Sequence, residues 1–235
     1  MEQQVGGKQD VSKQHQVMMK QEALRMLETY FGYTSFRPAQ EAPIASLLRN
    51  EDVIGIMPTG AGKSICFQIP ALCKAGLTIV FSPLISLMKD QVDGLLVQNI
   101  PAALINSTLT QSEFNKTMYE VRSGKIKLLY IAPERLSSNF FCNVLRALPI
   151  AQVIVDEAHC ISEWGHDFRP SYRLIGEWLN SLPKRPIVGA FTATATKYVE
   201  NDCYLGRNRN SSDKKIRCTA EMPCSGKNEL HIINF

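Results

Sequence analysis

The sequence has no apolar stretch approaching the roughly 20 residues that a membrane-spanning helix needs. Its first 20 residues are polar and rich in glutamine, and they lack the apolar segment of a secretion signal. The seven cysteines include no Cys-x-x-Cys pair, so a disulfide framework is not expected. These absences predict a cytoplasmic protein with reduced thiols and no membrane partner.

Strong charge is also missing, because the formal net charge is only +4. Residues 203–235 hold six Lys or Arg against three Asp or Glu, so +3 lies there and +1 in residues 1–202. Charge alone therefore does not indicate that the body of the chain binds nucleic acid. Cys203, Cys218 and Cys224 match no known zinc spacing, and we expect no zinc.

What the sequence does contain is a glycine-rich segment, 57–64 (MPTGAGKS), between an apolar run at 53–56 and a helix predicted over 65–75. Unpaired N–H groups at a helix N-terminus bind anions, and glycines let the backbone close around phosphate. The segment therefore predicts a phosphate-binding loop, although a chance Gly-Lys-Ser in a surface turn is the alternative. The residues expected to contact the nucleotide are Thr59, Gly60, Ala61, Gly62, Lys63 and Ser64.

Within this loop, Lys63 brings positive charge to the β- and γ-phosphates, and Ser64 offers a hydroxyl to Mg²⁺. The loop departs from the general pattern at Met57, where a glycine is usual. We therefore expect residues 59–62 to make the turn.

A second motif follows the apolar run 153–155, where Asp156 and Glu157 stand side by side. Asp156 is suited to hold Mg²⁺ through water, and Glu157 to polarise the water that attacks the γ-phosphate. The alternative is a strand that ends in two solvated acids. His159 is either a link from the nucleotide site to neighbouring loops or a packed histidine.

The order of predicted elements indicates an α/β fold, with a mostly parallel sheet covered by helices on both faces. Ligands bind such sheets at the carboxyl ends of the strands, so the loops that follow the strands should converge on one edge. Strands are predicted at 53–56, 77–81, 102–105, 127–131, 153–155 and 187–191, and helices at 17–30, 38–48, 65–75, 110–124 and 170–181. The stretch 82–88 leads into a further helix that reaches about residue 98.

We therefore predict a disordered tail (1–16), one domain (17–202) and a divergent C-terminal tail (203–235) without clear periodicity. Within that tail only the run 230–235 resembles a strand, which could close the edge of the sheet.

The stretch 160–172 mixes aromatic, basic and histidine side chains directly after the two acids. Trp164 and Phe168 could stack on nucleic-acid bases, with Arg169 on a phosphate. Core packing is the usual role of such aromatics. Composition alone leaves both interpretations open.

Taken together, the motifs resemble those of the RecQ family of ATP-dependent DNA helicases over about residues 24–202. Two of them, 31–40 and 156–170, are similar to RecQ and not to RNA helicases that share Asp-Glu-Ala-His. The motifs are 31–40 (FGYTSFRPAQ), 57–64 (MPTGAGKS), 82–91 (SPLISLMKDQ), 130–136 (YIAPERL), 156–170 (DEAHCISEWGHDFRP) and 191–196 (FTATAT).

The resemblance implies a RecA-like P-loop NTPase domain of a superfamily 2 motor. Such a motor moves 3′ to 5′ on single-stranded DNA and duplex junctions, uses ATP and Mg²⁺, and would be nucleoid-associated in a bacterium. By this resemblance Tyr33 stacks near adenine while Arg37 and Gln40 read the base. The resemblance also implies DNA contact or coupling roles for Ser82, Trp164, His166, Phe168, Arg169, Thr192 and Thr194.

The likeness to the family ends at about residue 202. A RecQ motor needs a second RecA-like domain with an arginine finger, and none is recognisable here. We therefore expect a truncated product with an altered C-terminus. The alternatives are a module that binds nucleotide or single-stranded DNA without turnover, and half of an RNA helicase.

Overall fold

The computed structural model describes residues 6–161, 169–193 and 217–220. In this part of the chain the strands form one seven-stranded sheet whose ladders are all parallel. The strands are β1 (Val53–Ile56), β2 (Leu77–Phe81), β3 (Ala102–Ile105), β4 (Leu128–Ile131), β5 (Ile150–Asp156), β6 (Ile187–Thr192) and β7 (Arg217–Ala220), in the spatial order β3-β4-β2-β5-β6-β1-β7.

Helices connect the successive strands from β1 to β6, as parallel pairing requires. They are α1 (Gly6–Phe31), α2 (Pro38–Leu48), α3 (Ile65–Cys73), α4 (Ile85–Val97), α5 (Gln111–Arg122), α6 (Asn139–Arg146) and α7 (Arg173–Asn180), with short 3₁₀ helices at Pro133–Ser137, Ala158–Ile161 and Pro170–Tyr172. Among the residues described, no helix is both long and apolar enough for a membrane crossing.

Two apolar cores cover the two faces of the sheet. Ile79 and Phe81 belong to one core and Val80 to the other, because alternate side chains of a strand point to opposite faces. Burial on both faces also explains why β1, β2 and β4 are largely apolar, with Thr78 of β2 as a buried polar exception. The predicted α/β architecture with a parallel sheet is confirmed.

Local signals fixed several boundaries correctly. The Thr110 hydroxyl accepts from the Glu113 backbone N–H at 3.3 Å, and a Glu113 carboxylate oxygen accepts from the Thr110 N–H at 2.8 Å. This reciprocal pair starts α5 as predicted. Gly124 follows the helix with φ of +72°, a conformation that favours glycine.

The structure differs from the predicted elements near both ends of the chain. Residues 6–16 are helical, because α1 begins at Gly6 and not near Val17. Glutamine, lysine and methionine are good helix formers, so a helix anchored by packing further along extends through them. At the other end, β7 pairs with β1 although Arg217–Ala220 had no predicted strand. The strand predicted at 230–235 lies outside the described residues.

Candidate active site

The loop between β1 and α3 has the conformation that its glycines predict. Gly60 and Gly62 take φ of +82° and +79°, so residues 59–62 do make the turn. The Ala61 N–H donates to the Pro58 carbonyl at 3.1 Å and closes that turn. The backbone N–H groups of Gly62, Lys63 and Ser64 donate to no backbone carbonyl among the described residues, and they are suited to hold phosphate oxygens.

Met57 occupies the position where the general pattern has glycine. Its side chain is buried below the loop, and its sulfur lies 3.5 Å from the Cys66 sulfur on α3. Its backbone N–H donates to the Thr192 carbonyl at 3.0 Å. Met57 is thus a packing residue that joins the loop to β6. Its neighbour Cys66 is also buried, and burial raises the pKa of the Cys66 thiol to about 12.

Gln40 and Arg37, at the start of α2, hold the loop from outside. The Gln40 side-chain amide nitrogen donates to the carbonyls of Ala61 at 3.2 Å and Gly62 at 3.1 Å. Its Oε1 accepts from the Arg37 N–H at 2.9 Å, and the Arg37 guanidinium donates to the Gly60 carbonyl at 2.6 Å. In this structure both side chains therefore support the phosphate loop directly, a role that the sequence did not indicate.

Lys63 joins the loop to the two acids at the end of β5. Its Nζ lies 2.7 Å from Glu157 Oε1 and 3.6 Å from Asp156 Oδ1. Only 16% of the Lys63 side chain is exposed, so water screens these ion pairs incompletely. The sheet thus brings together the three residues that the sequence predicted as catalytic.

The two carboxylates differ in their surroundings. Burial raises the pKa of Asp156, while the charge of Lys63 opposes that rise. Hydrogen bonds from His159 and Lys63 lower the pKa of Glu157 to about 2, although partial burial opposes them. Glu157 also has a φ of +49°, which is uncommon for a residue with a side chain. Glu157 is therefore ionised at neutral pH and held in a strained backbone position.

His159 links Glu157 to the end of β6. Its Nδ1 lies 3.2 Å from Glu157 Oε2 and 2.9 Å from the Thr192 hydroxyl. Hydrogen bonds with the Cys160 side chain and with Glu157 raise the pKa of His159 to about 10. The linking interpretation of His159 is thus the one that the geometry supports.

The chemistry of the site suits Mg²⁺. Ser64 and Asp156 offer a hydroxyl and a carboxylate, the oxygen donors that this ion takes. Burial leaves the Asp156 carboxylate with a raised pKa, so a nearby cation would offset its desolvation. Within the described residues, no three acids, histidines or cysteines cluster as a metal site. Such a site fits an ion that takes its other ligands from phosphates and water.

The remaining predicted residues fall into four groups. Tyr33 is 58% exposed and free to stack on a ligand, whereas the side chains of Ser82 and Thr192 are buried at 1% and present no surface. Arg169 donates to the Pro83 carbonyl at 2.6 Å and so contacts protein. The predictions for Trp164, His166, Phe168 and Thr194 lie outside the described residues.

Tyr172 supports the site although no sequence motif indicated a role for it. Its buried hydroxyl donates to the backbone carbonyl of Asp156 at 2.9 Å, which fixes the end of β5. Its only sequence signal was its place in the aromatic stretch after the acids. The structure also confirms convergence on one edge, since Arg169 reaches Pro83 and Ser171 reaches Glu134 at 3.4 Å.

A parallel sheet with this loop after β1, a lysine in the loop and two acids at the end of β5, with β6 between the two strands, defines the class of P-loop nucleoside-triphosphate-binding domains. A protein-family model described as DEAD/DEAH box helicase matches residues 37–201. The match covers more than half of the chain, and the chain belongs to the DEAD/DEAH box helicase family.

Within that family the chain is similar to RecQ helicases. It is 48% identical over 197 residues to the "ATP-dependent DNA helicase RecQ" of Pasteurella multocida, covering 84% of this chain and 31% of the relative. It is 50% identical over 185 residues to the protein of the same name from Bacillus subtilis, covering 78% of this chain and 31% of the relative. The chain thus spans about a third of the length of these relatives.

Solved structures support the fold. A hypothetical ATP-dependent RNA helicase from Sulfolobus tokodaii superposes with a TM-score of 0.59 at 21% identity, covering 77% of this chain and 53% of that one. At this identity the likeness concerns the fold alone.

Proposed function

We propose that this chain contains the nucleotide-binding domain, residues 17–202, of a RecQ-type ATP-dependent DNA helicase. The observation that carries the proposal is the position of Lys63, between the phosphate loop and both carboxylates. Similarity to relatives named ATP-dependent DNA helicase RecQ supports DNA as the nucleic acid. The substrate would be single-stranded DNA and its junctions with duplex, tracked 3′ to 5′, in the nucleoid if the organism is bacterial.

ATP binding would begin at the loop. The N–H groups of Gly62, Lys63 and Ser64 would receive the phosphates, and the exposed ring of Tyr33 would stack near adenine. Arg37 and Gln40 would stabilise the conformation of the phosphate loop through their bonds to its carbonyls. Contacts of both side chains with the adenine base would add to that role. The Lys63 ammonium would move from Glu157 toward the β- and γ-phosphates, which carry more charge than one carboxylate.

Hydrolysis would depend on that exchange. While Lys63 and His159 bind its two oxygens, Glu157 is a poor base for water. Departure of Lys63 frees Oε1 to orient the attacking water, while His159 still holds Oε2. Ser64 and Asp156 would hold Mg²⁺, which neutralises phosphate charge when bound.

The test is ATP hydrolysis by the purified 235-residue chain with single-stranded DNA titrated in, and with Lys63→Ala as the control. We expect hydrolysis that DNA stimulates and that Lys63→Ala abolishes. An RNA oligonucleotide of the same sequence should stimulate less. Equal stimulation by RNA would favour the RNA helicase alternative.

Nucleotide binding is measured in parallel with a fluorescent ATP analogue. Binding that needs Lys63 but is followed by no turnover, with or without DNA, would favour the alternative of a binding module. Absence of binding would refute the proposal.

A further inference from the structure

The peptide group between the two acids of the active site is held by a hydrogen bond on each side. Its N–H, which belongs to Glu157, donates to Asp156 Oδ1 at 3.0 Å. Its carbonyl, which belongs to Asp156, accepts from the Tyr172 hydroxyl at 2.9 Å. A phenol keeps its proton at neutral pH, so Tyr172 is the donor in this bond. An active-site side chain and a core side chain therefore fix the same peptide plane.

This peptide group precedes a backbone position that is costly to maintain. Glu157 has a φ of +49°, in the left-handed region that residues with a side chain seldom adopt. The cost of such a backbone is of the same order as the contribution of one hydrogen bond. With this backbone, Glu157 Oε1 lies 2.7 Å from Lys63 Nζ, and Oε2 lies 3.2 Å from His159 Nδ1. Loss of the bond at the preceding carbonyl would therefore let Glu157 relax and its carboxylate leave this position.

Tyr172 itself is fixed from two directions. Its side chain is 1% exposed and lies in the same apolar core as Cys160, three positions after Glu157. Its backbone N–H donates to the Arg169 carbonyl at 3.0 Å, and the Arg169 N–H donates to the Cys160 carbonyl at 3.0 Å. The turn that carries Tyr172 is thus bonded to the 3₁₀ helix Ala158–Ile161 directly after Glu157. The hydroxyl reaches the Asp156 carbonyl from a position that cannot readily shift.

We propose that Tyr172 is a positioning residue that keeps the Glu157 carboxylate in the orientation needed to activate water. Its side chain is buried in the core, so it acts on the reaction through the Asp156 carbonyl and not by contact with ATP. This inference rests on the proposed function, in which Glu157 orients the water that attacks the γ-phosphate.

The test compares Tyr172→Phe with Tyr130→Phe in the full chain. Both tyrosines are 1% exposed, so each substitution keeps a buried ring and removes one buried hydroxyl. Tyr130 lies in the core on the other face of the sheet, where its hydroxyl accepts from the Gln68 amide at 3.4 Å. It is therefore a matched control for the loss of a buried hydroxyl. ATP hydrolysis gives kcat and KM, a fluorescent ATP analogue gives affinity, and thermal unfolding gives stability.

We expect Tyr172→Phe to lower kcat by about three- to tenfold, because one hydrogen bond no longer opposes the relaxation of Glu157. The KM for ATP should not rise and the affinity for the analogue should not fall, since the phosphate loop and the charge of Lys63 are unchanged. Tyr130→Phe should keep the wild-type kcat. A merely structural role of Tyr172 would lower the melting temperature in both variants and leave kcat of the folded protein unchanged.

Hydrogen exchange of the Glu157 amide, followed by nuclear magnetic resonance, tests the position of the peptide group without turnover. The amide should exchange about three- to tenfold faster in Tyr172→Phe than in the wild type, because the opposite side of its peptide group is no longer held. In Tyr130→Phe it should exchange at the wild-type rate.

A wild-type kcat in Tyr172→Phe, or an unchanged exchange rate of the Glu157 amide, would overturn this inference and leave the proposed function intact. A wild-type chain that binds the ATP analogue but never hydrolyses ATP would also overturn it, because Tyr172 would have no reaction to serve. A wild-type chain that does not bind the analogue would refute the proposed function itself, and the inference with it.

Discussion

Gly62→Ala is the substitution whose cost the structure specifies best. Gly62 has a φ of +79°, and a Cβ atom there would lie 2.3 Å from the Gln40 amide nitrogen. The variant therefore meets two separate penalties. One is the left-handed backbone of an L-residue, at about 1–2 kcal/mol. The other is displacement of Gln40 from its two bonds to the loop, at about 0.5–1.5 kcal/mol each.

Gly60→Ala separates these penalties. Gly60 has a nearly equal φ of +82°, but a Cβ there would meet nothing within 4 Å. It therefore carries the backbone cost alone. The free loop is exposed at Pro58 and Thr59 and can relax, so nucleotide binding must restore the strained geometry and the cost appears in affinity.

The expected losses of ATP affinity follow from adding the penalties that each variant meets. Gly60→Ala should weaken binding by about 5- to 30-fold, and Gly62→Ala by about 30-fold to a few thousandfold. Titration with a fluorescent ATP analogue measures both, and thermal unfolding checks that each variant is folded.

A double variant tests the cause. In a Gln40→Ala background the clash at position 62 is gone, so adding Gly62→Ala should cost no more than Gly60→Ala costs in the wild type. The reasoning is refuted if Gly62→Ala binds ATP as well as Gly60→Ala, or if its extra cost persists without the Gln40 side chain.

Three further outcomes are expected. Glu157→Gln should abolish hydrolysis yet bind ATP about tenfold more tightly, because Lys63 loses the closer of its two carboxylate partners; unchanged affinity in the titration would contradict this. The stability difference between wild type and His159→Gln, measured by urea unfolding, should be largest below pH 6.5 and shrink toward pH 10, because the folded pKa of His159 is raised to about 10; a difference that grows with pH would reverse the sign. Thr110→Ala should cost about 1 kcal/mol of unfolding free energy, with Gln111→Ala as a nearby control that leaves the cap intact.

Most of the site was predictable because its functional residues lie in short, recognisable sequence segments. Lys63, Asp156 and Glu157 follow apolar strands, and parallel strands bring their carboxyl ends together. Ion pairs of 2.7 and 3.6 Å from Lys63 are the result. The turn at Gly60 and Gly62 was predictable for the same reason, since the motif itself requires positive φ.

What the sequence could not supply were contacts between distant side chains. The bonds of Gln40 to the loop span 21 and 22 positions, and that of Arg169 to Pro83 spans 86. No local pattern encodes such pairs, because they depend on how helices pack on the sheet. Strand β7 was missed for a related reason. Arg217–Ala220 is short and lacks the alternation of polar and apolar residues that predicts a strand. It is a strand because it pairs with β1.

The electrostatics of the site follow from Lys63 having two possible partners. In this structure its ammonium offsets two carboxylates, one of them buried at the end of β5. When phosphates take that ammonium, Asp156 and Glu157 lose their compensating charge while still partly desolvated, which is unfavourable unless another cation arrives. The hydroxyl of Ser64 and the carboxylate of Asp156 are suited to receive it. ATP should therefore bind as its Mg²⁺ complex, with His159 keeping Glu157 ionised throughout the exchange.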